Sequence, residues 1–416
     1  MSRWVHVFAI VVFAATPAAA QDAAFQSFFF DVCQGSPAGE LAVRCGETPG
    51  SSGDLSGDSE SSLNPGQLVA AQEGTLNRAR DRSRRLEERI DERREAERGE
   101  GQQAKAGGIQ TFGGVVSGRG VWFDRDGSSR TTNPAGIGVG ERGFDGTSAG
   151  LQLGADMQPV QGLLVGALFS WIRTDLEFDE DSPGVNFNPQ SAEGDQESDS
   201  FTFTLFGSYN ITESLYVDAH VSGGYIDYDL KRTVVFQESG RSGQTNVNTR
   251  SETDGSEVSV GGRVGYDLDF GSASVGPYAR VQYTRVEIEG DTEKGGAGLG
   301  MSFGDGTRTS VTTALGLNAS YAWSAGFGVI VPQLRAEWEH EFERDAETVT
   351  TAYPLDQAGN RFRSRGDSPD RDFMNLGAGV ALVLPGGWAP YADYQTLLFY
   401  KSWERHQVTA GVRKEF

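Results

Sequence analysis

Beyond Thr111 the chain is written in one pattern: extended segments in which apolar and polar side chains alternate with a period of two. Leu151, Leu153, Ala155 and Met157 share one face of such a segment, and Gln152 and Asp156 the other. Val258, Val260, Val264, Tyr266 and Leu268 stand opposite Arg263 and Asp267. Val311, Leu315, Leu317, Ala319, Tyr321 and Trp323 stand opposite Asn318, and Met374, Leu376, Ala378, Val380, Leu382 and Leu384 opposite Asn375. The last segment puts Val408, Ala410, Val412 and Phe416 on one face and Gln407, Thr409, Arg413 and Glu415 on the other. The pattern predicts twelve strands, over 111–124, 145–158, 163–178, 199–211, 215–236, 254–270, 273–289, 307–323, 328–343, 371–384, 389–400 and 406–416.

The connections alternate as well. Pro159–Gly162, Thr212–Ser214, Gly271–Ser272, Ser324–Phe327 and Pro385–Trp388 are tight turns, separated by long polar loops near 125–144, 179–198, 237–253, 290–306 and 344–370. A soluble β-sandwich has no reason to sort its connections in this way. A lipid-embedded barrel does, with short turns on one side of the membrane and long surface loops on the other, and closure satisfies the backbone groups that hydrocarbon cannot. An even strand number returns both barrel ends to the periplasm. Aromatic residues near strand ends (Trp122, Phe123, Tyr209, Tyr216, Trp323, Trp338, Phe342, Trp388, Tyr391, Phe399 and Tyr400) fit interfacial girdles.

Ahead of the barrel the pattern changes twice. Asn64-Pro65 reads as an N-cap followed by proline at the first helical position, and opens a helical segment over 64–105 crowded with Arg and Glu from residue 76 to 98. Leu76, Ala79, Ser83, Leu86 and Ile90 keep a thin heptad seam. A helix so polar on all sides must be solvated, pair weakly as a coiled coil, or lie in a polar channel. Residues 21–63 begin with the apolar patch Ala23–Phe30, carry Cys33 and Cys45, and end in a Gly/Ser/Asp stretch read as a disordered linker. Two cysteines separated by Pro37 and Gly39 most simply close one disulfide loop in an oxidising compartment. Residues 1–20 read as a cleaved signal peptide: Arg3, the apolar run from Trp4, then Ala18-Ala19-Ala20.

Composition narrows the function classes. A mean hydropathy of −0.41 excludes a helical membrane protein, and a net charge of −22 without a groove-sized basic patch disfavours nucleic acid as a partner. The four histidines are scattered, and no H-E-x-x-H, G-x-S-x-G or C-x-x-C is present, so the chain is expected to be no enzyme and to use no cofactor or metal. Gln333, Arg335, Glu337, Glu339 and Glu341 share a face of the ninth strand, and with Arg263 and Arg280 they are expected to line a pore. Asp179, Glu180, Asp181, Glu193, Asp195, Glu197 and Asp199 make an acidic second surface loop. Arg365-Gly366-Asp367 is an adhesion-type tripeptide whose chance frequency in this composition is high.

The leader, the helix running into twelve strands, the segments GDGTRTSVTTALGLNASY (Gly304–Tyr321) and PQLRAEWEHEF (Pro332–Phe342), and Phe416 resemble the translocator domain of autotransporters, the type V secretion family, over 108–416. That resemblance implies an all-β transmembrane barrel in the outer membrane of a Gram-negative-type cell, with lipid and a barrel-insertion machinery as partners. It further implies an assembly signal at Val408, Val412 and Phe416, in which Lys414 takes a lipid-facing position where the family favours an aromatic or apolar residue. The expected function is to anchor or display the short N-terminal segment through the pore. The alternatives are a channel or scaffold whose helix stays in the periplasm and self-associates, and an adhesin that binds a host or surface ligand through its long loops.

Overall fold

The computed structural model describes residues 18–48, 63, 67–99, 112–125, 131–132, 138–139, 143–178, 194–237 and 244–415, apart from 344, 346, 347, 366–368 and 402. Three helices come first: α1 (Ala18–Gly35), α2 (Gly39–Glu47) and α3 (Gln67–Gly99). Twelve long antiparallel strands follow. They are β1 (Phe112–Arg125), β2 (Phe144–Val160), β3 (Leu163–Phe178), β4 (Gly194–Asn210), β5 (Leu215–Gln237), β6 (Gln244–Tyr266), β7 (Ala273–Ile288), β8 (Gly306–Tyr321), β9 (Gly328–Glu341), β10 (Asp372–Val383), β11 (Trp388–Leu398) and β12 (Glu404–Glu415). Each pairs with its neighbour in sequence, and β12 returns to β1, with Val116 opposite Val412 and Gly120 opposite Val408. The sheet is thus a closed up-and-down barrel with no free edge, the one sheet form whose backbone groups are all paired within hydrocarbon.

The alternation gives the barrel an inside-out polarity. Leu151, Phe203, Val221, Val281, Leu315 and Leu334 face outward and are exposed, while Gln152, Thr204, Ser259 and Gln282 are buried inside. Among the described residues no helix is long and apolar enough to cross a membrane, which says nothing of the strands. Of the expected girdle aromatics, Trp122, Tyr209, Trp323, Trp338, Phe342, Trp388 and Phe399 point outward. Tyr216 does not: it is buried inside the barrel, because its position shares parity with Asp218 and His220 on the inner face. Its ring fills the space over Gly265, where a Cβ would lie 2.2 Å from the ring; Tyr278 does the same over Gly316.

Two differences from the sequence reading lie on the long-loop side. β6 begins at Gln244, ten residues before the expected start, and β4 at Gly194. These stretches stand clear of the apolar band, so neither face needs hydrophobic residues and the alternation that marks a membrane strand is missing. The loops at 290–306 and 344–370 also pair, through Asp291–Thr292, Ser302–Phe303, Thr348–Ala352 and Phe362–Arg365, into a small separate sheet.

The N-terminal segment is more ordered than a disulfide-closed loop. Phe25, Phe28, Phe29 and Val32 fall at helical spacing on one buried face of α1, which the turn at Ser36–Gly39 folds back onto α2. Cys33 and Cys45 are bonded, with their Cα atoms 5.4 Å apart. Residues 1–17 of the expected leader and 49–62 of the expected linker lie outside the described residues.

Candidate functional site

Helix α3 lies in the bore. Its side chains bond to strands on every side of the wall: Arg78 to Ser198 on β4, Arg82 to Glu257 on β6, Arg80 to Glu341 on β9, and Arg85 to Asp393 on β11. The heptad residues Leu76, Ala79, Ser83, Leu86 and Ile90 are buried against this wall, with Leu86 and Ile90 on Leu164 and Phe206, so they present no seam to a second helix. The direction of α3 is set by its ends. Thr75 bonds Tyr228 at 2.6 Å on the long-loop side, and Arg94 bonds Asp218 at 2.9 Å, four residues past Ser214 of a tight turn.

Residues 78–85 of α3 carry Arg78, Arg80, Arg82, Arg84 and Arg85 against one acid, Asp81. The wall supplies the balance. Arg80 meets Glu341, Arg82 meets Glu257 at 2.5 Å, Arg84 meets Glu339 and Asp81, and Arg85 meets Asp393 at 2.5 Å. Asp81 in turn accepts from Arg405 on β12. Lower down the roles reverse, and Asp91 of the helix accepts two bonds from Arg263, at 2.7 and 2.8 Å, while Asp218 bridges Arg263 and Arg94. Charges buried this way persist only when each meets a partner.

The structure brings the expected pore residues Arg263, Arg280, Arg335, Glu337, Glu339 and Glu341 together. Arg263 and Arg280 are direct cross-strand partners. Arg280 donates to Glu337 at 2.6 Å and lies 3.2 Å from Glu339, and Arg335 donates to Asn318 at 2.9 Å and lies 3.7 Å from Asp91. Asp81, Asp91, Asp218 and Arg405 complete the set. Strand parity could have found Asp218 and Arg405, which share the inner face with Tyr216 and Gln407; nothing in the helix sequence singles out Asp81 or Asp91 among its acids. His220 lies 3.1 Å from Ser83 in the same bore, and among the described residues no group of three His, Cys, Asp or Glu is gathered for a metal ion.

The long-loop mouth is covered by the α1–α2 hairpin. Phe25 packs edge-on to Phe362, Phe28 stacks on Tyr353, and Leu299, Met301, Val234 and Leu63 join the same core. The core residues of the hairpin and those of the loops bury one another. Arg232, at the far tip of β5, ties the parts: it pairs with Glu293 at 2.5 Å and donates to the carbonyls of Leu63 and Leu299. Burial pulls its guanidinium toward neutrality, but Glu293 outweighs that and holds its pKa above the ordinary value. Burial also pushes the Tyr353 phenol well up.

Other expected sites are not brought together. Asp195, Glu197 and Asp199 sit on β4, Asp195 paired with Lys231 at 2.7 Å and Glu197 with Arg173 at 2.5 Å; the bases come from neighbouring strands, which a reading of the loop alone misses. Residues 179–193 lie outside the described residues. Arg365 ends the short strand that pairs with Thr348, and Gly366 and Asp367 lie outside the described residues. On β12 Val408 faces outward, Val412 is half-buried, and Phe416 lies outside the described residues.

Comparison with known proteins gives a consistent result. Residues 118–395 match the family model for the autotransporter beta-domain. The chain is 28% identical over 255 residues to esterase EstA of Pseudomonas aeruginosa, a match covering 59% of this chain and 36% of that protein. It is 33% identical over 168 residues, 38% of this chain and 26% of the relative, to an uncharacterized Pseudomonas putida protein from the trpE-trpG intergenic region. The match thus spans about a third of the length of the esterase. Among solved structures, the translocator domain of autotransporter NalP from Neisseria meningitidis superposes with a TM-score of 0.58 at 14% identity, covering 83% of this chain and 98% of that one, a likeness of fold.

Proposed function

This chain belongs to the autotransporter beta-domain family, whose barrels reside in the outer membrane of Gram-negative bacteria, and from that premise we propose that it anchors its own N-terminal segment at the cell surface. In this reading α3 is both tether and plug, running from the outer mouth to the periplasmic start of β1 through a bore that its arginines neutralise.

The observation that carries the reading is the charge match along α3. Four arginines within six residues, Arg80, Arg82, Arg84 and Arg85, meet wall carboxylates on β6, β9 and β11, while the acids nearer its C-terminal end meet wall arginines. A helix that only visited the pore would need no such register. The esterase relative carries an enzymatic name, but the match to it spans about a third of its length, so the reading for this chain rests on the barrel and the segment it holds.

A peptide tag inserted beside Gly53 tests the proposal. It is expected to be labelled on intact cells by an antibody that cannot cross the outer membrane; labelling only after that membrane is permeabilised overturns it.

A further inference from the structure

We propose that the outer loops form a binding site for an aromatic helix, that its resident ligand is the chain's own α1–α2 hairpin, and that the hairpin stays bound after the backbone between it and α3 is cut. The inference rests on the surface-display reading only for the side of the membrane on which the hairpin sits. It makes the N-terminal segment a lid held by contact, where a passenger held only by its tether would leave.

Three observations carry it. First, the hairpin has no core of its own: residues 18–48 are too few to bury one, yet Phe25, Phe29, Val32 and Leu41 are fully buried. They are buried by Val234, Leu299, Met301, Tyr353 and Phe362, which belong to β5 and the loops. Second, the fit reaches the backbone. Gly298 takes φ +97°, and a Cβ there would lie 2.5 Å from the Leu41 amide nitrogen, so α2 rests directly on the loop main chain. Third, polar bonds fix the orientation. The Ala38 amide donates to the Leu355 carbonyl at 2.9 Å, Pro37 bridges to Asp356, and Thr245 donates to Glu47 at 3.1 Å. None of these contacts runs through residues 49–62, and a cut there leaves α1 and α2 joined by both the backbone between them and the disulfide.

The test is a site for a specific protease inserted beside Gly53 in the full chain. The cut is made both on intact cells and on detergent-purified protein, and the N-terminal fragment is followed without reductant. Retention of the fragment on cells, and its co-elution with the barrel after purification, is the expected result. Phe29→Ala and Gly298→Val should each weaken that hold on the order of a hundredfold, as loss of a packed aromatic or a forced overlap does. Barrel resistance to unfolding by SDS at room temperature should be unchanged in both, which separates release of the hairpin from failure to fold. Loss of the wild-type fragment to the medium or on the column overturns the inference. Cutting that succeeds on purified protein and fails on intact cells overturns the display reading instead, and leaves co-elution to decide retention.

Discussion

Arg263 and Arg280 stand directly opposite each other on β6 and β7, two like charges facing one bore. Cross-strand like charges repel, and the pair persists because carboxylates close in from both sides. Asp218 of the wall and Asp91 of the helix take Arg263, while Glu337 of the wall takes Arg280 and Glu87 of the helix lies 3.7 Å from it. The barrel and its helix therefore complete one electrostatic arrangement, and each holds charges that the other needs.

Breaking that arrangement on one side should be costly. Arg263→Leu leaves Asp91 and Asp218 sharing Arg94, and the expected loss is about 3–5 kcal/mol, read as a lower temperature for conversion of the compact barrel to the unfolded band on a gel. The double variant Arg263→Leu with Asp91→Leu should recover part of the loss, since the helix then buries no unpaired acid. Losses that simply add would show that the two residues are not coupled.

Removing the helix should open the pore. Deletion of residues 21–99, which spares the expected cleavage site, removes the helix arginines that pair with Glu257, Glu339, Glu341 and Asp393. The purified barrel in a planar bilayer is expected to conduct more than the full chain and to favour cations over anions. Equal conductance of the two proteins would mean that α3 does not occlude the bore.

Packing of rings over lumen glycines gives a sharper contrast. A Cβ on Gly265 would lie 2.2 Å from the Tyr216 ring, whereas one on Gly326 in a tight turn would meet nothing within 4 Å. Gly265→Ala should cost about 1–3 kcal/mol of barrel stability by overpacking and slow assembly, and Gly326→Ala should be silent. Thermal unfolding of the two variants side by side decides it.

Much of this fold was legible because lipid imposes a strict rule. A residue facing hydrocarbon must be apolar and its neighbour facing the bore can be polar, so Leu151 against Gln152 or Val258 against Ser259 marks strand and face together. The rule fails where lipid ends. The first ten residues of β6 are polar on both faces apart from Val247, and Tyr216 looks like any interfacial aromatic until parity with Asp218 is considered. The helix was visible from its composition, while the expected cap at Asn64-Pro65 lies outside the described residues; its surroundings were not visible, since an all-round polar helix suits water as well as a charged bore. The cap was the least legible part. Phe25, Phe28 and Phe29 are conspicuous, yet their partners Leu299, Met301, Tyr353 and Phe362 lie in loops with no periodicity, and only the tertiary fold brings them together.

The disulfide should matter to the cap and not to the barrel. Cys33 and Cys45 close a short loop, and losing such a bond costs about 3 kcal/mol. Cys33→Ser with Cys45→Ser is expected to make the α1–α2 hairpin more sensitive to protease while the thermal unfolding of the barrel is unchanged. An equal shift in both would mean that the cap and barrel unfold as one unit.

Alkali should loosen the same cap through one residue. Burial holds the Tyr353 phenol above its ordinary pKa, and its hydroxyl has no hydrogen-bond partner among the described residues. A phenol with a raised pKa favours the folded cap fully below the unfolded value of about 10, because both states then keep the proton. As pH rises past that value the unfolded segment releases its proton first, and cap stability falls by up to about 1.4 kcal/mol per pH unit until the folded pKa is reached. Protease sensitivity of the hairpin should therefore climb between about pH 9 and 11 in the wild type. Tyr353→Phe, which keeps the ring stacked on Phe28 and removes the ionisable group, should flatten that climb; a climb of the same size in the variant would place the alkaline weakness in another group.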